Sequence, residues 1–237
     1  MINSETFLLD NAQKIGVTLD SRQLSKFLKY KKMILETNKN INLTAITNDS
    51  DIIIKHFVDS LSIVPLIDKK ASVIDIGTGA GLPGIPLKIA LPHINITLVD
   101  SLNKRIMFLN EVIATLGLNN INAIHTRAED LGNSFKKTYD IATSRAVASL
   151  SLLSELSLPY LRIGGKLLAF KGSNYDDELT KAKDTITVLG GTVSAIKQIT
   201  LPTTNIVHNI IVIDKIQETP PKYPRKANQM KKSITMS

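Results

Sequence analysis

The spacing of apolar residues divides the chain into a helical N-terminal part and a longer part in which strand and helix patterns alternate. After Asp20, "DSRQLSKFLKYKKMIL" has apolar residues at helical spacing, and Gln23 completes a capping-box pattern. The run "SDIIIKHFVDSLSIV" brings four apolar residues onto one helical face: Ile54, Phe57, Val58 and Leu61. We therefore predict a helical region over residues 1–65, with the turn-like stretch "NKNINLTAITN" between its helices.

From about residue 71 the pattern changes to short β-rich runs separated by helical ones: "SVIDIG", "NITLVD", "INAIHTRAED", "YDIATSRAV" and "GGKLLAFKG". Such alternation is typical of a parallel sheet with crossover helices. The last two β-rich runs, "GTVSAIKQI" and "NIVHNIIVID", leave little room for a helix between them, so we predict an antiparallel hairpin. The chain then divides into a helical region (1–65), an α/β domain (66–215) and a basic, mobile tail (216–237).

Composition narrows the class of protein. The 237-residue chain has no cysteine, which excludes disulfides and cysteine-based metal sites. It shows no signal-peptide pattern and no apolar run of the roughly 20 residues that span a bilayer. We therefore expect a soluble, cytoplasmic protein with no membrane partner. The net charge of +8 indicates an acidic partner, of which nucleic acid is the commonest.

A glycine-rich turn follows the first predicted strand in "VIDIGTGAGLPGIPL". Four glycines fall within eight residues, although each costs backbone entropy on folding: Gly77, Gly79, Gly81 and Gly84. At the carboxyl edge of an α/β sheet such a turn lets the backbone approach a ligand, and the next helix offers free N–H groups. Two ligand classes fit: a dinucleotide, because "GAGLPG" matches G-x-G-x-x-G, and S-adenosylmethionine.

Acidic residues near the strand ends help to separate these ligands. Asp75 would repel a pyrophosphate, whereas the amino group and sulfonium of S-adenosylmethionine are cationic and suit a carboxylate. Asp100 can accept the ribose hydroxyl groups of either ligand, and Ala128 and Glu129 can face an adenine edge. Each acid also has a structural interpretation: Asp75 as a cap or ion-pair partner, Asp100 as a helix N-cap, and Glu129 as a surface acid.

Seven motifs occur in a characteristic order: "NINLTAI", "HFVDSL", "VIDIGTGAGLPGIPLKI", "LVDSLNKRIMFL", "TRAEDL", "ATSRAVASL" and "LLAFKG". In this order they resemble the bacterial 16S rRNA guanine-N7 methyltransferases, a family also called glucose-inhibited division protein B. The resemblance covers about residues 20–215, and "GTGAGLPGIPL" is specific to this family among methyltransferases. In the tail, "YPRKANQMKKSI" departs from the family's continuation, so no function is carried onto it.

The resemblance implies a class I S-adenosylmethionine-dependent methyltransferase. This α/β fold is a Rossmann-like, seven-stranded, mostly parallel sheet with a terminal antiparallel hairpin, here with an N-terminal helical extension. The implied reaction is methyl transfer from S-adenosylmethionine to N7 of a guanine in 16S rRNA, free or in the small subunit, and we expect a monomer. The motifs and the physical argument together give these expected cofactor contacts: Asp75, Gly77, Gly79, Gly81, Leu82, Asp100, Ala128, Glu129 and Arg145.

Guanine N7 carries a lone pair and no proton, so methyl transfer to it needs no general base, and we assign none. The protein's task is to place N7 in line with the methyl group. We expect Asn42, Ser144, Arg145 and Lys171 to form the guanine pocket. Three of these also have other interpretations: Asn42 as a turn residue, Arg145 as an ion-pair partner of a cofactor-side acid, and Lys171 as a phosphate contact or a solvated strand end.

The histidines give no support for a metal, and we expect none. They fall on different elements without ligand spacing: His56, His93, His125 and His208. His56 and Asp59 do lie three residues apart on one helical face, but most such pairs belong to a solvated surface.

Two further functions stay open at this point. One is a nicotinamide-dependent oxidoreductase that uses "GAGLPG", against which Asp75 and the terminal hairpin argue. The other is a non-catalytic RNA-binding module, against which the intact turn and both acids argue.

Overall fold

The computed structural model describes residues 3–145 and 148–234, with side chains as far as residue 230. Within these residues, seven strands form one sheet in the order β3-β2-β1-β4-β5-β7-β6. The strands are β1 (Ser72–Ile76), β2 (Asn95–Asp100), β3 (Ile121–His125), β4 (Tyr139–Arg145), β5 (Leu161–Lys171), β6 (Gly191–Thr200) and β7 (Val207–Lys215). Strands β1 to β5 run parallel, and β7 is antiparallel to β5 and β6, which confirms the predicted sheet and hairpin. Ala146 and Val147, which end the fourth predicted strand, lie outside the described residues.

Helices pack on both faces of the sheet. They are α1 (Ser4–Lys14), α2 (Ser21–Asn38), α3 (Asp49–Asp51), α4 (Asp59–Leu61), α5 (Gly84–Ala90), α6 (Asn103–Thr115), α7 (Leu150–Ser157), α8 (Tyr175–Val188) and α9 (Ala227–Ile234). The predicted capping box forms at the start of α2, where the Asp20 and Gln23 side chains each accept from the other's N–H. A π-helix (Ile52–Val58) joins α3 to α4, so the second predicted helix is continuous but widened in its middle.

The N-terminal helices share a core with the sheet. One buried cluster joins Leu8, Phe27 and Phe57 from these helices to Ile141 of β4 and Leu168 of β5. The predicted boundaries at 65/66 and 215/216 stay predictions, but the helices before the first boundary are packed directly onto the α/β sheet.

The sheet has a switch point at β1, which lies between β2 and β4. In sheets of this kind, ligands bind beyond the carboxyl ends of the strands at such a point. Ile76 pairs with Val99 of β2, and Asp75 pairs with Thr143 of β4. The glycine turn after β1 therefore lies beside the ends of both neighbouring strands.

The segment after β7 packs against the α/β domain. Lys136 Nζ donates to the Tyr223 carbonyl at 2.8 Å, and Arg225 forms an ion pair with Glu155 of α7. Met230 of α9 is buried. The prediction of a mobile tail is therefore wrong for residues 216–230. The prediction rested on the basic composition of the tail, and composition does not indicate contacts with distant residues such as Glu155, which lies 70 residues earlier in the chain.

Candidate functional site

The turn between β1 and α5 uses its glycines in two ways. Gly77, Gly79 and Gly81 have φ values of 68°, 60° and 97°, which side chains with a Cβ rarely adopt. A Cβ on Gly84 would lie 2.2 Å from a Leu98 methyl group and 2.9 Å from the Asp75 carboxylate. The first three glycines are thus required by backbone conformation, and Gly84 by the close packing of α5 on the sheet.

Asp75 lies beneath the turn and is fully buried. Its Oδ2 accepts hydrogen bonds from Thr78 Oγ1 at 2.6 Å and from the Gly84 N–H at 2.9 Å. Burial raises the pKa of Asp75 to about 6, against the opposing effect of these two hydrogen bonds. Among the described residues, its Oδ1 has no hydrogen-bond partner. The carboxylate therefore holds the turn in place from below.

Two cavities adjoin the turn. The turn cavity, of about 430 Å³, is lined by the glycine turn together with Arg105 and Arg145. The apolar cavity, of about 290 Å³, lies between the ends of β2 and β3 on one side and α7 and α9 on the other. Most of its lining side chains are apolar: Ile76, Val99, Ala128, Leu152, Leu156, Ala227 and Met230. Gly77 and Asp100 line both cavities, so the two spaces meet at the end of β2.

Asp100 is the carboxylate at this junction. Its Oδ2 accepts from the Gly79 N–H at 2.9 Å and lies 3.3 Å from Arg105 Nη1, while its Oδ1 accepts from the Leu102 N–H at 2.9 Å. The N-cap residue of α6 is Leu102, so the N-cap interpretation of Asp100 is wrong: Asp100 accepts from the N–H of the residue before the helix and not from the first turn of the helix. A carboxylate has about four acceptor positions, so this contact is compatible with a ligand role.

A third space, the charged cavity, lies beyond the ends of β4 and β5. It has a volume of about 410 Å³. Most of its lining side chains are ionisable and the others are apolar: Lys55, His56, Asp59, Arg145, Lys171 and His208, then Ile46, Phe170 and Ile206. His56 and Arg145 also line the turn cavity, so these two side chains separate the charged cavity from the glycine turn.

Arg145 is fixed by the π-helix and α4. Its Nη1 donates to the Lys55 carbonyl at 2.8 Å and to Asp59 Oδ2 at 2.9 Å, and its Nη2 lies 2.8 Å from His56 Nδ1. Asp59 is buried, and its Oδ1 lies 2.7 Å from His208 Nδ1. Arg145 therefore forms its ion pair with an acid of the N-terminal helical region instead of one at the glycine turn.

The two histidines of this network favour different protonation states. Burial and the Arg145 charge lower the pKa of His56 to about 4, so its ring is neutral at neutral pH. A neutral ring can accept from Arg145 at Nδ1 and donate from Nε2 to Thr44 Oγ1, 2.7 Å away. The hydrogen bond with Asp59 raises the pKa of His208, which favours its protonated form.

Sequence comparison identifies the family. The family model described as rRNA small subunit methyltransferase G (GidB) matches residues 23–207. The chain is 45% identical over 229 residues to Ribosomal RNA small subunit methyltransferase G of Alkaliphilus metalliredigens, covering 95% of this chain and 96% of that protein. It is 47% identical over 229 residues to the protein of the same name from Acetivibrio thermocellus, covering 95% and 94%. The chain belongs to the rRNA small subunit methyltransferase G family.

Solved structures agree with this family in fold. The crystal structure of M. jannaschii TYW2 in complex with AdoMet is similar with a TM-score of 0.55 and 15% identity, over 67% of this chain and 75% of that chain. Precorrin-6y C5,15-methyltransferase from Geobacter metallireducens GS-15 gives 0.50 and 18%, over 66% and 86%. At such identities the likeness concerns the fold, and it confirms the predicted class I methyltransferase architecture.

The predicted cofactor contacts of this family member are distributed over both cavities, with two exceptions. Gly77 and Asp100 line both cavities. The turn cavity is also lined by Gly79, Leu82 and Arg145, and the apolar cavity is also lined by Ala128 and Glu129. Asp75 lies below the turn, as described. Gly81 faces the protein interior, where a Cβ would lie 2.6 Å from Ile85 and 2.8 Å from Leu109.

The predicted guanine contacts are brought together only in part. Arg145 and Lys171 both line the charged cavity. Ser144 is fully buried, and since side chains alternate along a strand, it points to the opposite face of β4 from Arg145. Asn42 is exposed on the loop after α2, where the next two residues line the turn cavity instead.

Lys171 is also less free than the sequence suggests. Its Nζ donates to the Ala148 carbonyl at 2.6 Å and to Glu178 Oε2 at 2.7 Å, and its side chain is 9% exposed. The same Glu178 oxygen accepts from the Leu150 N–H at 2.8 Å. Lys171 therefore ties β5 to α7 and α8 at the rim of the charged cavity.

The sequence argument missed the Asp59–His208 pair. His56 and Asp59 gave a signal through their helical spacing, but the solvated surface expected for them is wrong because both are buried. His208 joins them from β7, 149 residues after Asp59, and no local pattern marks it.

The described part of the chain holds no group of three or more His, Asp or Glu side chains that could bind a metal ion. In the same residues, no helix combines the length and apolar character needed to cross a bilayer.

Proposed function

We propose that the protein transfers a methyl group from S-adenosylmethionine to N7 of a guanine in 16S rRNA. The observation that carries this proposal is the order of the three cavities. The apolar cavity meets the turn cavity at Asp100, and the turn cavity meets the charged cavity at Arg145. In this order, the three cavities would hold the adenosine of the cofactor, its methionyl part with the methyl group, and the target base. The substrate class follows from the relatives, which are named for the RNA of the small ribosomal subunit.

The chemistry of two cavities fits S-adenosylmethionine. Apolar walls suit an adenine ring, and the backbone of Ala128 and Glu129 offers polar groups at the edge of the apolar cavity. Asp100, at the junction, is suited to ribose hydroxyl groups. Arg105 and Arg145 line the turn cavity, where a guanidinium group suits the methionyl carboxylate. When bound, S-adenosylmethionine supplies an electrophilic methyl group on its sulfonium.

The charged cavity would hold the guanine. Guanine presents O6 and N7 as acceptors on one edge, and arginine pairs readily with that edge. N7 must stay free to attack, so Arg145 and Lys171 would bind O6 or a phosphate. Phe170 offers an apolar wall for the base. The base becomes cationic on methylation, and the buried Asp59 carboxylate would limit the repulsion between that charge and the neighbouring Arg145 and His208. No side chain has to remove a proton from N7.

We further propose that the protein acts as a monomer in the cytoplasm. The net charge of +8 favours association with a polyanion such as rRNA. Exposing N7 of a base in folded RNA requires the nucleotide to leave its stack, so recognition would involve RNA around the target as well as the base itself.

The test is methyl transfer from tritium-labelled S-adenosylmethionine to small-subunit RNA that lacks the modification. Naked 16S rRNA and assembled subunits are offered separately, with large-subunit RNA as the control. Chain cleavage at N7-methylguanine, induced by reduction and aniline, then locates the label. We expect one labelled guanine in the small-subunit RNA and none in the control.

Three other results would contradict the proposal in distinct ways. Label at another atom would overturn the N7 assignment. Binding of NADH or NADPH without binding of S-adenosylmethionine would indicate an oxidoreductase. Binding of RNA without either small molecule would indicate an RNA-binding module.

A further inference from the structure

The C-terminal segment of residues 219–230, here called the strap, begins near the amino ends of the parallel strands, where β7 ends, and leads to the apolar cavity at the carboxyl ends of β2 and β3. Several contacts attach it, and three of them are single hydrogen bonds or ion pairs. Thr219 Oγ1 donates to the Leu189 carbonyl at 2.7 Å, the Tyr223 carbonyl accepts from Lys136, and Lys226 pairs with Asp130 at 2.6 Å. These contacts join the strap to the segments after α8 and β3, on either side of α7.

The strongest attachment is the ion pair between Arg225 and Glu155. Arg225 donates to Glu155 Oε1 from its backbone N–H at 2.8 Å and from Nε at 2.9 Å, and to Oε2 from Nη2 at 2.6 Å. The Glu155 side chain is 2% exposed. Moving the strap away would leave this carboxylate buried without Arg225, which opposes opening.

The ion pair lies beside the apolar cavity. Glu155 is on α7, and Leu152 and Leu156 of the same helix line that cavity. Two residues after Arg225, α9 begins, and its Ala227 and Met230 also line it. Residues three apart share a helix face, so one side of α9 covers the cavity opposite Ala128 and Glu129.

We propose that the strap is the outer wall of the adenine site, and that the Glu155–Arg225 ion pair positions it. This inference rests on the proposed function, because it assigns the apolar cavity to the adenine of S-adenosylmethionine. Met230 supplies the apolar contact surface, and Arg225 is a positioning residue that acts through α9. The strap therefore sets the affinity for the adenosine part of the ligand and not for its methionyl part.

The experiment compares two ligands that share adenosine. S-adenosylmethionine has the methionyl part, and 5′-methylthioadenosine lacks it. In Met230→Ala and Arg225→Gln, we expect the affinity for both ligands to fall by the same factor, roughly tenfold, because each variant removes a packed wall from the adenine side. In methylation assays, KM for S-adenosylmethionine should rise with kcat unchanged. Arg225→Lys should restore part of the affinity, since it keeps the charge without the bidentate geometry.

Two matched controls separate the strap from general effects. Asn228→Ala alters an exposed residue on the same helix, and Arg162→Gln breaks an ion pair with Asp140 at the opposite end of the sheet. Both should bind the two ligands as the unchanged protein does. Melting curves without ligand check that each variant is folded.

Folded Met230→Ala and Arg225→Gln proteins with unchanged affinity for both ligands would overturn the strap proposal alone. A loss for S-adenosylmethionine without a loss for 5′-methylthioadenosine would also overturn it, because the wall would then serve the methionyl part. If the unchanged protein bound neither ligand, the proposed function and the strap assignment would both be wrong.

Discussion

The two halves of the candidate site are assembled from the sequence in different ways. The half around the glycine turn is built mainly from backbone groups and the Asp100 carboxylate, and most of its lining comes from the stretch of chain between Gly77 and Arg105. The half around the charged cavity uses side chains from the π-helix, α4, β4 and β7, with Asp59 and His208 separated by 149 residues. We therefore expect the backbone conformation of the turn to determine cofactor affinity. We expect the positions of the charged side chains to determine guanine binding and the methylation rate.

The turn half is also supported from outside its own segment. Tyr30 of α2 is buried and donates from Oη to the Ala80 carbonyl at 2.5 Å, and its ring stacks on Phe57 with centroids 5.4 Å apart. The N-terminal helices thus hold the glycine turn on one side and, through Asp59, hold Arg145 on the other. They are part of the site's framework rather than an addition to the domain.

The largest effect is expected from Gly79→Val, which attacks the turn half alone. Gly79 has a φ of 60°, and a Cβ there would have no heavy atom of the described residues within 4 Å, so the side chain would enter the turn cavity that Gly79 lines. We expect affinity for S-adenosylmethionine to fall about 100-fold or more, measured by calorimetry.

Gly164→Val is the matched control for Gly79→Val. Gly164 has a φ of 86°, also has open space around its Cβ position, and lies near the start of β5, away from the cavities. Both variants share a backbone strain of about 1–2 kcal/mol, so melting temperatures should fall alike. Equal ligand affinity in the two variants would show that the turn has a structural role alone.

Arg145→Ala is expected to affect both halves, because Arg145 lines the turn cavity and the charged cavity. Loss of its ion pair leaves Asp59 buried with one fewer partner, which should lower the free energy of unfolding by about 3–5 kcal/mol. Single-turnover methylation should fall about 100-fold, and cofactor affinity should also weaken.

Arg145→Lys separates charge from geometry. It keeps a cation near Asp59 but cannot reproduce the fork that contacts Lys55, His56 and Asp59 together. We expect stability to recover more than activity. Near-normal methylation by Arg145→Ala would remove Arg145 from the site, and a rate loss with normal cofactor affinity would assign it to the guanine side.

The buried His56 gives the network a pH dependence of stability. The unfolded chain binds a proton near pH 6.5, whereas the folded protein does so near pH 4. Stability is therefore present above pH 6.5 and is lost as pH falls toward 4, by about 2 kcal/mol between pH 7 and pH 5. His56→Gln should show a smaller loss over this interval in denaturant titrations. His93→Gln, at an exposed histidine, should match the unchanged protein, and equal losses in all three proteins would contradict a neutral buried His56.

The smallest effect concerns phosphate contacts at the charged cavity. Lys55 lines this cavity and pairs with Asp51 at 3.0 Å, one helical turn away. If it contacts a phosphate, Lys55→Gln should reduce the salt dependence of RNA binding by about 0.7 log units per tenfold change in salt. Lys32→Gln is the matched control, since Lys32 forms the same kind of pair with Glu36 on α2. Equal slopes for both variants would place the phosphates elsewhere.

The difference between the halves also explains what the sequence could predict. Strand alternation and the glycine spacing are local, so the sheet, its hairpin and most of the turn contacts are apparent from consecutive residues. Gly77, Gly79, Leu82 and Asp100 accordingly line the turn cavity. The inward positions of Asp75 and Gly81 depend on how α5 and α6 pack over the turn, which spacing along the chain does not specify.

Contacts between segments that are distant in the sequence could not be predicted from local patterns. Ser144 and Arg145 are adjacent in the sequence but face opposite sides of β4. Which of two neighbouring strand residues faces a cavity depends on how the strand packs in the folded protein, so the sequence alone does not specify it. The Arg225–Glu155 pair and the Asp59–His208 pair each join residues 70 or more positions apart. The basic residues of the tail are evident from the sequence, but their charge alone does not predict which acidic side chain they contact.

The most direct test of the division into two halves compares Gly79→Val with His208→Gln, using cofactor affinity and single-turnover methylation of small-subunit RNA on each. His208 lines the charged cavity and contacts Asp59, away from the glycine turn. We predict that Gly79→Val loses cofactor binding. His208→Gln should bind S-adenosylmethionine normally and methylate about tenfold more slowly, because it removes a charged partner of Asp59 beside the proposed guanine site. A loss of cofactor affinity in His208→Gln with an unchanged rate at saturating cofactor would contradict the account.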